Sequence, residues 1–154
     1  MHYHAVMNIT LQQLVPVLQL AIGPVILISG VGLLLLSFTN RLGRLIDRAR
    51  LLHRERISGP APERERLLRE QIELIDRRAG IMRHSIGLAA LTVLLVSVLI
   101  LVLFVAALFQ LEAGVAIVCL FGLGVLALIG SILGFLREIT LSLEAVRLET
   151  RGGA

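Results

Sequence analysis

The chain has 154 residues, 56% of them hydrophobic, and a mean hydropathy of +0.89. Soluble domains are roughly 45 to 50% apolar, so this composition excludes an ordinary soluble domain and indicates an integral membrane protein. Twelve of the fifteen arginines lie between Arg41 and Arg83, where twelve arginines against seven acidic residues give a charge of +5. Arginine-rich segments stay on the cytoplasmic side, which explains the pI near 10.9 without a nucleic-acid partner.

The first predicted element is a short interfacial helix at about residues 10–22. Its glutamines, mixed with leucines and valines, suit the membrane interface better than the hydrocarbon centre. Gly23 and Pro24 then favour a bend into the first span. By the length of about 20 apolar residues that a bilayer requires, spans are predicted at about residues 20–38, 86–109 and 115–136.

A weakly polar stripe is predicted along the first span. It consists of Ser29, Leu33, Ser37 and Asn40. Such a stripe lines a pore or, more commonly, hydrogen-bonds neighbouring helices. No Asp, Glu, Arg or Lys lies inside any predicted span, which argues against a proton-coupled transporter or a voltage sensor.

A charged collar follows where the first span leaves the bilayer. The collar comprises Asn40, Arg41, Gly43, Arg44, Asp47 and Arg48. We interpret it as a membrane-boundary anchor with bridges between subunits, or alternatively as a site for anionic lipid headgroups or the mouth of an oligomeric pore. Because glycine inside a helix costs about 1 kcal/mol relative to alanine, Gly43 suggests close approach by another helix.

Residues 40–85 have the pattern of an antiparallel helical hairpin. Apolar residues recur at spacings of three and four in both arms, and the Ser58 to Pro62 segment interrupts them. The apolar positions are Leu42, Leu45, Ala49 and Leu52 in the first arm, and Leu68, Ile72, Ile75, Ala79 and Met82 in the second. In the register that pairs these positions, Asp47 faces Arg77 and Arg78, and Asp76 faces Arg44 or Arg48.

The second and third spans are joined by a tight turn at residues 110–114. Gly122, Gly130 and Gly134 are predicted on one face of the third span, where small residues allow close helix packing. The tail at residues 137–154 continues the helical pattern. With the hairpin in the cytoplasm, three crossings put the N-terminus outside and the C-terminus in the cytoplasm.

No pattern for catalysis or metal binding is found. His2 and His4 are only two potential ligands, and the lone Cys119 has no partner for a disulfide or thiolate site. No Ser, His and Asp set and no phosphate-binding loop appears. We therefore expect no enzyme activity, no cofactor and no metal site.

The run from Pro24 to Arg50, above all Asn40-Arg-Leu-Gly-Arg-Leu-Ile-Asp-Arg48, resembles a family of small bacterial membrane proteins known as domain of unknown function 2721. The resemblance covers most of the chain. It implies the architecture of a bacterial inner-membrane protein and leaves the function open.

The sequence thus predicts an all-α, three-span membrane protein whose first two spans extend into a cytoplasmic hairpin. A homo-oligomer is expected from the glycine-containing third span and the collar. Two functions remain open. The first is a structural or interaction protein whose hairpin binds a cytoplasmic partner, and the alternative is an oligomeric ion channel lined by the first span.

Overall fold

Three long helices make up the protein in the computed structural model, which describes the backbone of residues 11–151 and the side chains of residues 15, 16 and 18–140. The helices are α1 (Leu11–Ile57), α2 (Pro62–Phe109) and α3 (Gly114–Arg151). Each has a segment long and apolar enough to cross a membrane, and the described residues form no strand. The prediction of an all-helical protein with three spans is confirmed.

The connection between α1 and α2 is four residues long. Gly59 has a φ of 75°, a left-handed conformation that glycine adopts without steric cost. Pro62 occupies the start of α2, where its missing N–H is not needed, and acidic residues follow in the first turn. Across the connection, Glu55 of α1 forms an ion pair with Arg64 of α2 at 2.7 Å.

The connection between α2 and α3 is equally short. Gln110 ends α2 in the left-handed conformation, with a φ of 51°, and its backbone N–H donates to the carbonyl oxygen of Ala106. The N–H of Leu111 donates to the same oxygen at 3.0 Å. These bonds cap the helix end, and α3 begins at Gly114.

The separate interfacial helix predicted at residues 10–22 is not present as such. Residues from Leu11 onward belong to α1, which continues past both Pro16 and Pro24 to Ile57. Residue 10 lies outside the described range. A proline within an apolar helix removes one backbone hydrogen bond, and membrane helices tolerate that loss when neighbouring groups compensate.

One buried stripe runs along almost the whole of α2, which contacts both other helices. Its members recur at spacings of three and four, as in a coiled coil. They are Leu68, Ile72, Ile75, Ala79, Met82, Ser85, Ala89, Thr92, Val96, Leu99 and Leu103. The five apolar positions predicted for the second arm are therefore all buried, and the same stripe continues into the second span.

The contact between α2 and α3 is made by small and hydroxyl-bearing residues. Ser131 Oγ donates a hydrogen bond to the backbone oxygen of Ser85 at 2.7 Å, and Thr92 Oγ1 donates to the backbone oxygen of Gly124 at 3.2 Å. A Cβ added to Gly134 would collide with Ser85 Oγ. Because these residues have little or no side chain, the two backbones approach closely.

Candidate functional site

A buried carboxylate joins all three helices. Glu138 of α3 has no exposed side-chain surface, and its Oε2 lies 2.8 Å from Arg41 Nε of α1. Its Oε1 accepts hydrogen bonds from Arg78 of α2, at 2.9 Å from Nη2 and 3.3 Å from Nε. We call Arg41, Arg78 and Glu138 the ion-pair cluster.

Aromatic rings lie directly beside the cluster. Phe38 of α1 stacks on Phe135 of α3 with ring centroids 4.4 Å apart and an angle of 27° between the planes. The guanidinium of Arg41 lies 5.6 Å from the centroid of the Phe135 ring, within the range of a cation–π interaction. Since Phe38 is 1% exposed, the rings shield the apolar side of the cluster from water.

The electrostatics of the cluster explain why it holds the helices together. A buried carboxylate needs charged or hydrogen-bonding partners, and both oxygens of Glu138 have an arginine within 3 Å. Arg41 and Arg78 keep 28% and 23% of their side-chain surface exposed, so water still solvates part of each guanidinium. The arrangement is well suited to fixing helix positions.

Residues of the predicted collar lie in two different environments. Arg41 belongs to the ion-pair cluster, whereas Asn40, Arg44, Asp47 and Arg48 are exposed on α1. At Gly43 an added Cβ would meet no atom within 4 Å, so the close helix approach predicted there is not made within the described chain.

The residues predicted to form bridges across the hairpin have other neighbours. Arg78 binds Glu138, and Arg77 is exposed beside a cavity between α2 and α3. The ion pair of Asp47 is with Arg50 on the same helix at 3.9 Å, and Asp76 lines a cavity between α1 and α2.

The polar stripe of the first span faces away from the other helices. Ser29, Leu33, Ser37 and Asn40 are all exposed. The hydroxyl of Ser29 donates to the backbone oxygen of Val25, four residues earlier, so its hydrogen bond is satisfied within the helix.

The three glycines predicted to support packing of the third span differ in their surroundings. Gly130 and Gly134 lie against α2, where an added Cβ would approach Leu88 or Ser85. At Gly122 an added Cβ would meet nothing within 4 Å, and Gly124 instead contacts α2.

Sequence reasoning missed Glu138, which it placed in the helical tail on the side opposite the apolar residues. A signal was present, because Glu138 continues the spacing of three and four set by the buried residues Gly124, Ala127 and Ser131 and by the half-buried Gly134. An acidic residue that continues a stripe of small residues is expected to face the same neighbouring helix.

No metal centre is found in the described part of the chain. Within it, no group of three or more His, Cys, Asp or Glu side chains could hold a metal ion. His2 and His4 lie outside the described residues.

The three apolar helices and the ion-pair cluster define a small multi-pass membrane protein. The chain belongs to the family described as "Protein of unknown function (DUF2721)", whose profile matches residues 21–148. This confirms the resemblance seen in the sequence. No curated protein and no solved structure matches the chain.

Proposed function

We propose that this protein is a homo-oligomeric interaction protein of the bacterial inner membrane, whose hairpin at residues 40–85 binds a cytoplasmic protein partner. The hairpin is supported by the Glu55–Arg64 ion pair across the α1–α2 connection. It is supported further by a cavity lined by Leu45 and Ala49 of α1 and by Ile75 and Ala79 of α2, as expected from the predicted register.

The proposal rests on aliphatic side chains exposed on arms that are otherwise rich in charge. Leu51, Leu67 and Leu74 are 64%, 46% and 56% exposed, and all three lie outside the predicted spans. We call these residues the leucine surface. Leu67 and Leu74 are seven residues apart and therefore share one face of α2. Exposed aliphatic groups in water favour contact with another protein.

The ion-pair cluster supports the same function. It joins α1, α2 and α3 near the end of the predicted spans, so that the arms leave the membrane in a defined direction. A binding surface on rigid helices loses less conformational entropy on association than one on a flexible loop.

Photo-crosslinking tests the proposal. A benzophenone amino acid at Leu67 or Leu74 should crosslink to a second protein in cells, and the same group at Arg69, which is exposed on the opposite side of the α2 arm, should crosslink less. Changing Leu74→Ser should weaken the crosslink from position 67 while the protein still reaches the membrane. Crosslinks confined to residues 141–151 of the same chain would show that the leucine surface is covered internally and would refute partner binding.

A channel is the second candidate function, and the polar stripe favours it. Ser29, Leu33, Ser37 and Asn40 point away from α2 and α3, and the exposed line continues to Arg44. In a ring of subunits with α1 innermost, the stripe would line the pore and Arg44 would lie at its cytoplasmic mouth.

Ion flux distinguishes the two candidates, since both require an oligomer. Under the channel function, liposomes with purified protein conduct ions, and Ser37→Leu or Asn40→Leu changes conductance or selectivity. Ser97→Leu serves as the matched control, because Ser97 is an exposed serine of another span. Liposomes that do not conduct would eliminate the channel and leave the interaction protein.

A further inference from the structure

A cavity of about 360 Å³ opens between α2 and α3, beside the ion-pair cluster. Arg77 and Arg137 line one end of it, and Ile81 and Leu88 lie farther toward the centre of the predicted spans. Arg77 and Leu88 are eleven residues apart, which corresponds to about 16 Å along a helix. The cavity therefore extends from the charged boundary into the apolar region.

Glycines keep the cavity open. Gly80 of α2 and Gly130 of α3 line it, and an added Cβ at Gly80 would meet no atom within 4 Å. At Gly130 an added Cβ would approach the Leu88 side chain to 3.2 Å. The space is thus bounded by backbone and aliphatic groups, which suits an acyl chain or a glycerol backbone.

The charge at the outer end is positive, and no carboxylate among the described side chains pairs with it. Arg77 and Arg137 are both exposed, and neither forms an ion pair with another residue whose side chain is described. Glu138, which follows Arg137, is turned toward Arg41 and Arg78 instead. Two guanidinium groups facing the same opening are well suited to a phosphate group.

His84 also lines the cavity. Its Nδ1 lies 2.9 Å from the backbone oxygen of Gly80. That oxygen can only accept a hydrogen bond, so Nδ1 carries a proton and the ring is held against its own helix.

We propose that the cavity binds an anionic phospholipid, with the phosphate between Arg77 and Arg137 and one acyl chain along Ile81 and Leu88. The collar on α1 is a different surface, and its Arg41 is already bound to Glu138. The lipid would lie against α2 and α3 beside the ion-pair cluster. This inference does not depend on partner binding or on conduction.

Native mass spectrometry of the delipidated full-length protein tests the site. Phosphatidylglycerol should bind more tightly than phosphatidylcholine. The double substitution R77Q/R137Q should weaken phosphatidylglycerol binding by about fivefold per arginine, from the usual contribution of a basic residue at an anionic membrane surface. The matched control R44Q/R48Q removes the same charge from the collar and should leave the affinity within about twofold of the wild type.

A second variant tests the cavity without changing its charge. Gly80→Leu adds a side chain where an added Cβ has open space, and leucine favours helix more than glycine does, so the protein should remain folded. The Gly80→Leu variant should bind phosphatidylglycerol less tightly than the wild type, although its net charge is the same.

Two results would overturn the proposal: the same phosphatidylglycerol affinity for R77Q/R137Q as for the wild type, or a loss of affinity only in R44Q/R48Q. The proposal would also be overturned if inorganic phosphate displaced the lipid and bound as tightly as the lipid does, because the acyl chain would then contribute nothing to binding.

Discussion

The two helix contacts of this protein are built from different residues. Between α1 and α2 beyond the spans, the buried positions are aliphatic, as at Leu45, Leu68 and Ile72. Between α2 and α3 within the spans, small and hydroxyl-bearing residues make the closest approach, as at Ser131 and Gly134. Water drives large apolar groups together, whereas lipid is itself apolar and provides no such force. Inside the membrane, close backbone approach and hydrogen bonds between helices therefore act alongside the burial of aliphatic residues such as Val96 and Leu99.

Truncating one leucine in each region gives the largest expected difference. Leu68 is fully buried in the arm of α2, and Leu99 is 2% exposed in the span of the same helix. Leu68→Ala should lower the free energy of unfolding by about 2–5 kcal/mol, through loss of hydrophobic burial and the resulting cavity. Leu99→Ala should cost about half as much, because the Leu99 side chain still contacts apolar lipid, and not water, when the helices separate. Unfolding in mixed micelles, followed by Förster transfer between labelled helices, measures both. Equal losses would contradict the comparison.

Removing the charge of Glu138 tests the point where the two contacts meet. Glu138→Gln keeps the shape of the side chain and should lower the free energy of unfolding by about 2–3 kcal/mol. This loss is somewhat smaller than that expected for a fully buried ion pair, because Arg41 and Arg78 are both partly exposed to water. Glu70→Gln is the matched control, because Glu70 pairs with Arg66 at 3.4 Å on an exposed surface. Its effect should be small. Similar stability of the two variants in the same unfolding assay would mean that the cluster does not hold the helices together.

Adding one methyl group to Gly134 tests the close approach of α2 and α3. Gly134→Ala should destabilise the protein by about 1–2 kcal/mol, since the new Cβ collides with Ser85 Oγ. Ser85→Ala should partly restore stability in the double variant, because the Cβ of Ser85 is 3.6 Å from the place that the new Cβ would occupy, which is ordinary van der Waals contact. Gly122→Ala is the control, with open space around it. A double variant no more stable than Gly134→Ala would argue against this contact.

Removing the hydrogen bond from Thr92 to Gly124 should change the free energy of unfolding least. Thr92→Val removes the hydroxyl and keeps the branched shape, so we expect a loss of about 0.5–1 kcal/mol, typical of hydrogen bonds between membrane helices. Ser97→Ala is the comparison, because the Ser97 hydroxyl donates to Val93 within its own helix. The same unfolding measurement applies. A larger loss for Ser97→Ala would show that the bond between helices is unimportant.

The sequence predicted the parts of the structure that one helix determines by itself. Composition and arginine distribution predicted three apolar helices, and the spacing of Leu68, Ile72 and Ile75 predicted the buried stripe of the second arm. The rotation of α3 about its axis was harder, because glycines occur on more than one side of that helix. The prediction placed Gly122, which has open space, on the packing face, and it placed Gly124, which contacts α2, only near that face. The partners of Glu138 depend on this rotation and on residues far away in the chain.

The lack of a proline inside α2 has a mechanical consequence. Pro62 at its first position is its only proline, whereas α1 contains Pro16 and Pro24 in its N-terminal third. Sharp bends usually occur at proline, and α2 is about 72 Å long at 1.5 Å per residue. A rod of that length transmits a push or a twist from one end to the other with little loss. Binding at the arm would therefore displace the opposite end of α2, near Phe109. In α1, bends at Pro16 and Pro24 would be confined to the end of the helix that is farthest from the arm.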